Sequence, residues 1–220
     1  MSKFGWNVGH FLLPFILLVA TILVFPVIAT DERYYAGYYY YGYEGSSPPN
    51  GVSADIYTID SWVTGANFYC QWSGVTLSYT YHYWIQVGYN KGWDTNFALK
   101  WYIEKNDLNG YQLYWKNSPL AHNTYHYYLH RASDQTYWRA GVSGQFEDQI
   151  YTVPYAAVDY KAFSETTTID INIDGTHFTY ISYAQGSDWR LWDQHYPRAD
   201  PPYTIQEISN YEFTANGGGP

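Results

Sequence analysis

Two polar side chains interrupt segments that otherwise read as apolar strand faces, and both are of types that can activate water or stabilise a developing charge. The first lies in Trp84-Ile85-Gln86-Val87-Gly88-Tyr89. Period two places Trp84, Gln86 and Gly88 on one face, with Ile85, Val87 and Tyr89 on the other. A glutamine so flanked needs a hydrogen-bond partner if buried, and Gly88 would leave room beside it for a ligand. The second segment is Ala162-Phe163-Ser164-Glu165-Thr166-Thr167-Thr168-Ile169-Asp170-Ile171. Here Glu165 shares a face with Phe163, Thr167, Ile169 and Ile171. Desolvation on such a face raises a carboxyl pKa, which suits general acid/base work. A polar residue at a sheet edge would give either pattern as well.

Other reactive types point to less chemistry. His122, His126 and His130 recur at every fourth position in HNTYHYYLHR. On a helix that spacing would make a metal face, but the tyrosine-rich context reads as a strand. Steps of four along a strand separate neighbours by about 13 Å, too far for one ion, so no metal site is expected. Cys70 is the only cysteine, so no internal disulfide can form, and it reads as a buried thiol. There is no HExxH, G-x-S-x-G or phosphate-loop pattern.

The elements that must position these residues are strands. Aromatics make up 22% of the 220 residues, with 28 Tyr and 10 Trp, while charged residues are only 14%. Tyr and Trp combine a large apolar body with a polar tip and suit half-wet sheets. The net charge of −9 and the scattered basic residues exclude a nucleic-acid footprint. Period-two runs predict strands over residues 52–62, 75–81, 83–89, 96–105, 111–116, 124–131, 136–140, 162–174 and 176–183, with one more over 205–213. Asp174-Gly175 reads as a two-residue hairpin turn. Many short strands at this spacing imply a sandwich or jelly roll.

The N-terminus is different. Phe11 to Ile28 is an uncharged apolar run after Lys3, followed by Ala29-Thr30 and Asp31-Glu32. Residues 1–29 read as a hydrophobic helix, either a signal peptide cut after Ala29 or an uncleaved membrane anchor. Either places the rest outside the membrane, secreted or at the cell surface. Residues 30–50 read as a Tyr/Gly-rich lead-in, 51–215 as the β-sandwich domain, and 216–220 as a disordered tail.

Together the two site segments resemble the glutamic peptidases (the eqolisin family) and their neprosin-like relatives. Trp84-Ile85-Gln86-Val87-Gly88 is similar to the family's I-L-Q-T-G strand with its catalytic Gln. Leu99-Lys100-Trp101-Tyr102-Ile103-Glu104 resembles the A-W-Y-E-W-Y-P strand, and Phe163-Ser164-Glu165-Thr166-Thr167 resembles the strand with the catalytic Glu. Gly51-Val52-Ser53-Ala54-Asp55-Ile56-Tyr57 resembles the opening strand. The chain departs from the pattern in three places. Tyr79–Tyr83 replaces the W-V-G-I-D-G stretch, and three threonines follow Glu165. Ile103 takes the place of the glutamate after Tyr102, with Glu104 expected to face away from that slot.

The resemblance implies a concanavalin-like jelly roll of two antiparallel sheets. It also implies an acid endopeptidase in which Glu165 activates water and Gln86 stabilises the oxyanion, without metal or cofactor. Trp84, Trp101 and Tyr102 would line the groove for a polypeptide substrate. The rival expectations are a non-catalytic lectin-like module binding a glycan, since one fold hosts many functions, and a structural surface or filament protein.

Overall fold

The computed structural model describes residues 32–41 and 50–219. The expected N-terminal helix with its signal or anchor function lies outside the described residues. Asp31–Pro220 is one compact unit. It is all-β, an antiparallel two-sheet sandwich of the jelly-roll type expected. Strands are numbered in chain order. One sheet runs β13 (Tyr196–Ala199), β1 (Tyr34–Tyr41), β10 (Asp159–Thr166), β3 (Phe68–Ser78), β4 (Tyr83–Gly92), β5 (Lys100–Asp107), β6 (Gly110–Trp115). The other runs β14 (Thr204–Ser209), β15 (Glu212–Asn216), β11 (Thr176–Gln185), β2 (Gly51–Tyr57), β7 (Thr124–Arg131), β8 (Trp138–Val142), β9 (Phe146–Ile150). β12 (Asp188–Leu191) also pairs with β11.

Alternation drives the packing of the two sheets. Val52, Ala54 and Ile56 of β2 and Tyr127 and Leu129 of β7 turn inward to meet Ile85, Val87 and Tyr89 of β4, with Trp101 and Ile103 of β5. All of these are buried, and each large apolar side chain removed from water contributes about 1.5–3 kcal/mol. Several of the buried tyrosine hydroxyls find partners, although that of Tyr38 has none among the described residues. Ile59 N donates to Tyr89 Oη at 2.9 Å, and Tyr69 Oη donates to Ile59 O at 2.9 Å. The Trp101 indole donates to Tyr127 Oη at 3.1 Å. Trp101 is therefore a core residue between the sheets, not the groove residue expected from the resemblance.

Several expected boundaries move. Residues 34–41, expected as a lead-in outside the sandwich, form β1 between β10 and β13. Ala36 and Tyr38 are buried toward the core, while Tyr35 and Tyr39 turn to the other face. With tyrosine on both faces the run lacks the polarity contrast that reveals a strand. The run expected over 162–174 ends at Thr166. Beyond it the chain leaves the sheet, and the Tyr203 hydroxyl donates toward Thr168 O and Ile171 O at 2.8 and 3.0 Å. Asp174-Gly175 does turn, with Gly175 at φ 87°, but β10 and β11 belong to different sheets, so it closes no hairpin. The expected disordered tail is anchored through Gly219: Asn216 ends β15, Gly217 accepts from Ile173 N at 3.0 Å, and Gly219 N donates to Ile169 O at 3.1 Å.

Candidate active site

The outer face of the seven-stranded sheet, turned away from the core, carries an apolar floor of Cys70, Trp72, Tyr102 and Phe163. Over it opens a cavity of about 360 Å³ bordered by Gln86, Glu104, Glu165, Trp72, Trp84 and Arg33, among others. Register explains why these residues share a face. β10 and β4 both flank β3, with Glu165 opposite Cys70 and Gln86 opposite Gly74. Gln86 in turn pairs with Glu104 on β5. Glu165 and Gln86 therefore stand two strands apart and four residues offset along β3. The Trp72 side chain, level with Phe163 and Gly88, rises between them.

Each polar group is held by specific partners. Glu165 is 2% exposed. One of its oxygens is ion-paired with the Arg33 guanidinium, and the other accepts from the Trp72 indole N–H at 2.9 Å. Gln86, also buried, uses its side-chain nitrogen twice, toward Tyr102 Oη at 3.1 Å and toward Glu104 Oε1. The second oxygen of Glu104 accepts from Tyr111 Oη at 2.5 Å.

Burial pushes the Glu104 carboxyl up to about 7; the Glu165 charge adds to this, while the Tyr111 hydrogen bond, Arg33 and Gln86 oppose it. Burial, with the Glu165 charge, also drives the Cys70 thiol well above its usual value. Cys70 is therefore no thiolate nucleophile near neutrality. At the far end of the cavity Asp159 accepts from Tyr79 Oη at 2.8 Å and from Thr76 N at 3.0 Å, with Lys161 Nζ 3.3 Å away.

The cavity brings together part of the expected set. Gln86, Glu165 and Trp84 all border it. Tyr102 lies beneath, 2% exposed, as a hydrogen-bond partner of Gln86 rather than an open groove wall. Trp101 is on the opposite face, in the core. Gly88 does not leave space for a ligand. A Cβ there would lie 2.2 Å from Gln71 O and 2.7 Å from Trp72 Cβ, so β3 fills that space.

Three residues went unanticipated. Arg33 precedes a strand whose tyrosines show no period-two contrast, and Trp72 belongs to a strand expected to begin only at Val75. Glu104 does face away from the side of Ile103, but that side is the core, so its carboxyl meets Gln86. Period two alone pairs Glu104 with Tyr102 on one face. Its contact with Gln86 depends on the β4–β5 register, set by a connection containing a 3-10 turn over Trp93–Thr95.

The histidines do not converge. His126 and His130 lie on the outer side of the second sheet, where His126 Nδ1 meets Asp55 Oδ1 at 2.6 Å, while His122 sits in the turn before β7 at φ 62°. Among the described residues no group of three or more His, Cys, Asp or Glu could hold a metal ion.

The two-sheet sandwich is similar in fold to solved glutamic peptidases. Scytalidoglutamic peptidase, bound to a peptide-based transition-state analogue, superposes with a TM-score of 0.63 at 12% identity, covering 84% of this chain and 98% of that one. SCP-B, a member of the eqolisin family in complex with the tripeptide Ala-Ile-His, gives 0.58 at 10% identity over the same shares. No family model matches the chain, and no curated protein sequence matches it. At these identities the likeness is one of fold.

Proposed function

We propose that the chain is an exported acid endopeptidase that hydrolyses peptide bonds with Glu165 and Gln86. The observation that carries this reading is that both residues border one cavity in a fold shared with peptidases. Arg33 and the Trp72 indole hold the Glu165 carboxylate in place. Glu165 takes a proton from water, and the hydroxide attacks the peptide carbonyl carbon. The Gln86 N–H₂ donates to the oxyanion that forms. Glu165 then delivers its proton to the departing nitrogen, the C–N bond breaks, and a carboxylic acid and an amine leave. Trp84, Tyr39 and Tyr79 supply aromatic walls for an extended polypeptide. The apolar segment over residues 11–28 supports export, to the extracellular space or the cell surface.

Incubation of the purified protein with denatured casein at pH 3–4 tests the reading. It predicts new peptide termini, and their loss in Glu165→Gln with the fold intact by circular dichroism. Cleavage that survives Glu165→Gln overturns the assigned base. Binding to a glycan array without any cleavage would point instead to a lectin-like module.

A further inference from the structure

The Gln86 amide has two N–H donors, and both are already committed. One goes to Tyr102 Oη and the other to Glu104 Oε1. No donor among the described residues is recorded on Gln86 Oε1. In this arrangement the amide offers a third acceptor, such as the oxyanion of a reacting peptide, no free N–H. We propose that Glu104 is a proton-operated latch on Gln86: as a carboxylate it retains the amide N–H₂, and as a carboxylic acid it releases it. This rests on the reading of Gln86 as the oxyanion donor.

The stereochemistry follows from donor and acceptor inventories. Glu104 Oε2 is occupied by the Tyr111 hydroxyl, so a proton added to Glu104 resides most favourably on Oε1, facing Gln86. A carboxylic O–H and an amide N–H₂ cannot both donate to each other. The amide therefore turns over, its carbonyl accepting from Glu104 and from the Tyr102 hydroxyl, whose single proton swings to it from Cys70. Its N–H₂ then occupies the position Oε1 holds now.

The proton affinity needed for such a switch has identifiable sources. From β10 the Glu165 carboxylate faces Glu104, and from ahead of β1 Arg33 opposes it. β6 contributes Tyr111, β5 itself Tyr102, and β3 the un-ionised Cys70. Lys161, Asp159 and Arg198 border the same cavity. Burial dominates and carries the carboxyl to about 7. The latch thus opens in acid and closes above neutrality, limiting hydrolysis to acid conditions through the oxyanion donor rather than the base.

Two readouts separate the latch from the activity. In a pH profile of kcat/KM on a fluorogenic peptide, the wild type should lose about tenfold per unit above pH 7, and Glu104→Gln should move that limb alkaline by at least one unit. An unmoved limb overturns the latch. Independently of any hydrolysis, the Gln86 side-chain ¹⁵N–¹H₂ resonances, assigned by their absence in Gln86→Leu, should titrate near pH 7. They should be flat in Glu104→Gln and titrate at lower pH in Glu165→Gln, which removes the neighbouring charge. Flat Gln86 resonances in the wild type overturn the latch even if the enzyme cleaves peptides. Titrating resonances in a protein that cleaves nothing leave the latch standing and refute the peptidase reading alone. Should Glu104→Gln fail to fold, the wild type and Glu165→Gln still decide it.

Discussion

Replacing Glu104 with glutamine should change how the stability of the domain depends on pH, by an amount the structure sets. In the folded protein Glu104 titrates at about 7, against 4.5 for the free side chain. The folded state therefore binds this proton more tightly than the unfolded chain. The stabilisation is fully present below pH 4.5 and is lost as pH rises through 7. A difference of 2.5 pKa units between those two values corresponds to about 3 kcal/mol. Wild-type unfolding free energy should therefore fall by about 3 kcal/mol more than that of Glu104→Gln between pH 4.5 and 8. For a domain of this size that is a relative shift in Tm of about 6–12 °C. Asp94, raised by burial, and Asp107 and Asp134, lowered, titrate alike in both proteins and cancel in the difference. Urea unfolding of both proteins at pH 4.5, 6, 7 and 8 measures it directly. Parallel curves would refute the claim that Glu104 holds a proton inside the site.

Three further outcomes follow from the packing and the hydrogen bonds. Trp101→Ala should cost about 3–5 kcal/mol in urea unfolding, because it empties a core position, while leaving KM for a peptide unchanged; a raised KM with intact stability would return Trp101 to the substrate groove. Trp72→Phe keeps an aromatic ring but removes the indole N–H bonded to Glu165. Since a hydrogen bond to a charged group is worth about 1.5–3 kcal/mol, kcat should fall at least tenfold with little change in KM, and an unchanged kcat would show that the indole does not position the base. Gly88→Ala places a methyl against Gln71 O and Trp72, and thermal melts should show about 1–3 kcal/mol of overpacking; a neutral result would mean that β3 and β4 are less tightly apposed than described.

Much of this architecture is legible in the residues, and the gaps have physical causes. Thr124–Arg131 alternates cleanly, and β7 has those bounds. Gln86 and Glu165 stand out because a polar side chain on an otherwise apolar strand face is costly without a partner, and both have partners in the cavity. What stays hidden is whatever depends on strand neighbours. Tyr34–Tyr41 shows no alternation of polarity, so neither β1 nor the placement of Arg33 against Glu165 can be read from it. Trp101 and Tyr102 are consecutive, and period two sends one to the core and the other beneath the cavity; which goes where is decided by the sheet. The contact between Glu104 and Gln86 requires the register across a connection with Asn96 and Phe97 at φ 54° and 58°, which no local pattern specifies. Gly88 was expected to make room for a ligand and instead makes room for Trp72, because close approach of a neighbouring strand and of a ligand look alike in one sequence.

The central claim is that Glu165 and Gln86 act together on a peptide carbonyl. Its most direct test is a crystal structure of the protein grown at acid pH with a peptide analogue carrying a tetrahedral hydroxyl-bearing centre in place of the scissile carbonyl. This centre should lie in the cavity between β10 and β4, with one oxygen about 3 Å from the Glu165 carboxylate and the other about 3 Å from the Gln86 amide nitrogen. An analogue whose tetrahedral oxygens touch neither residue, with Glu165 still closed on Arg33 and Trp72, would contradict it.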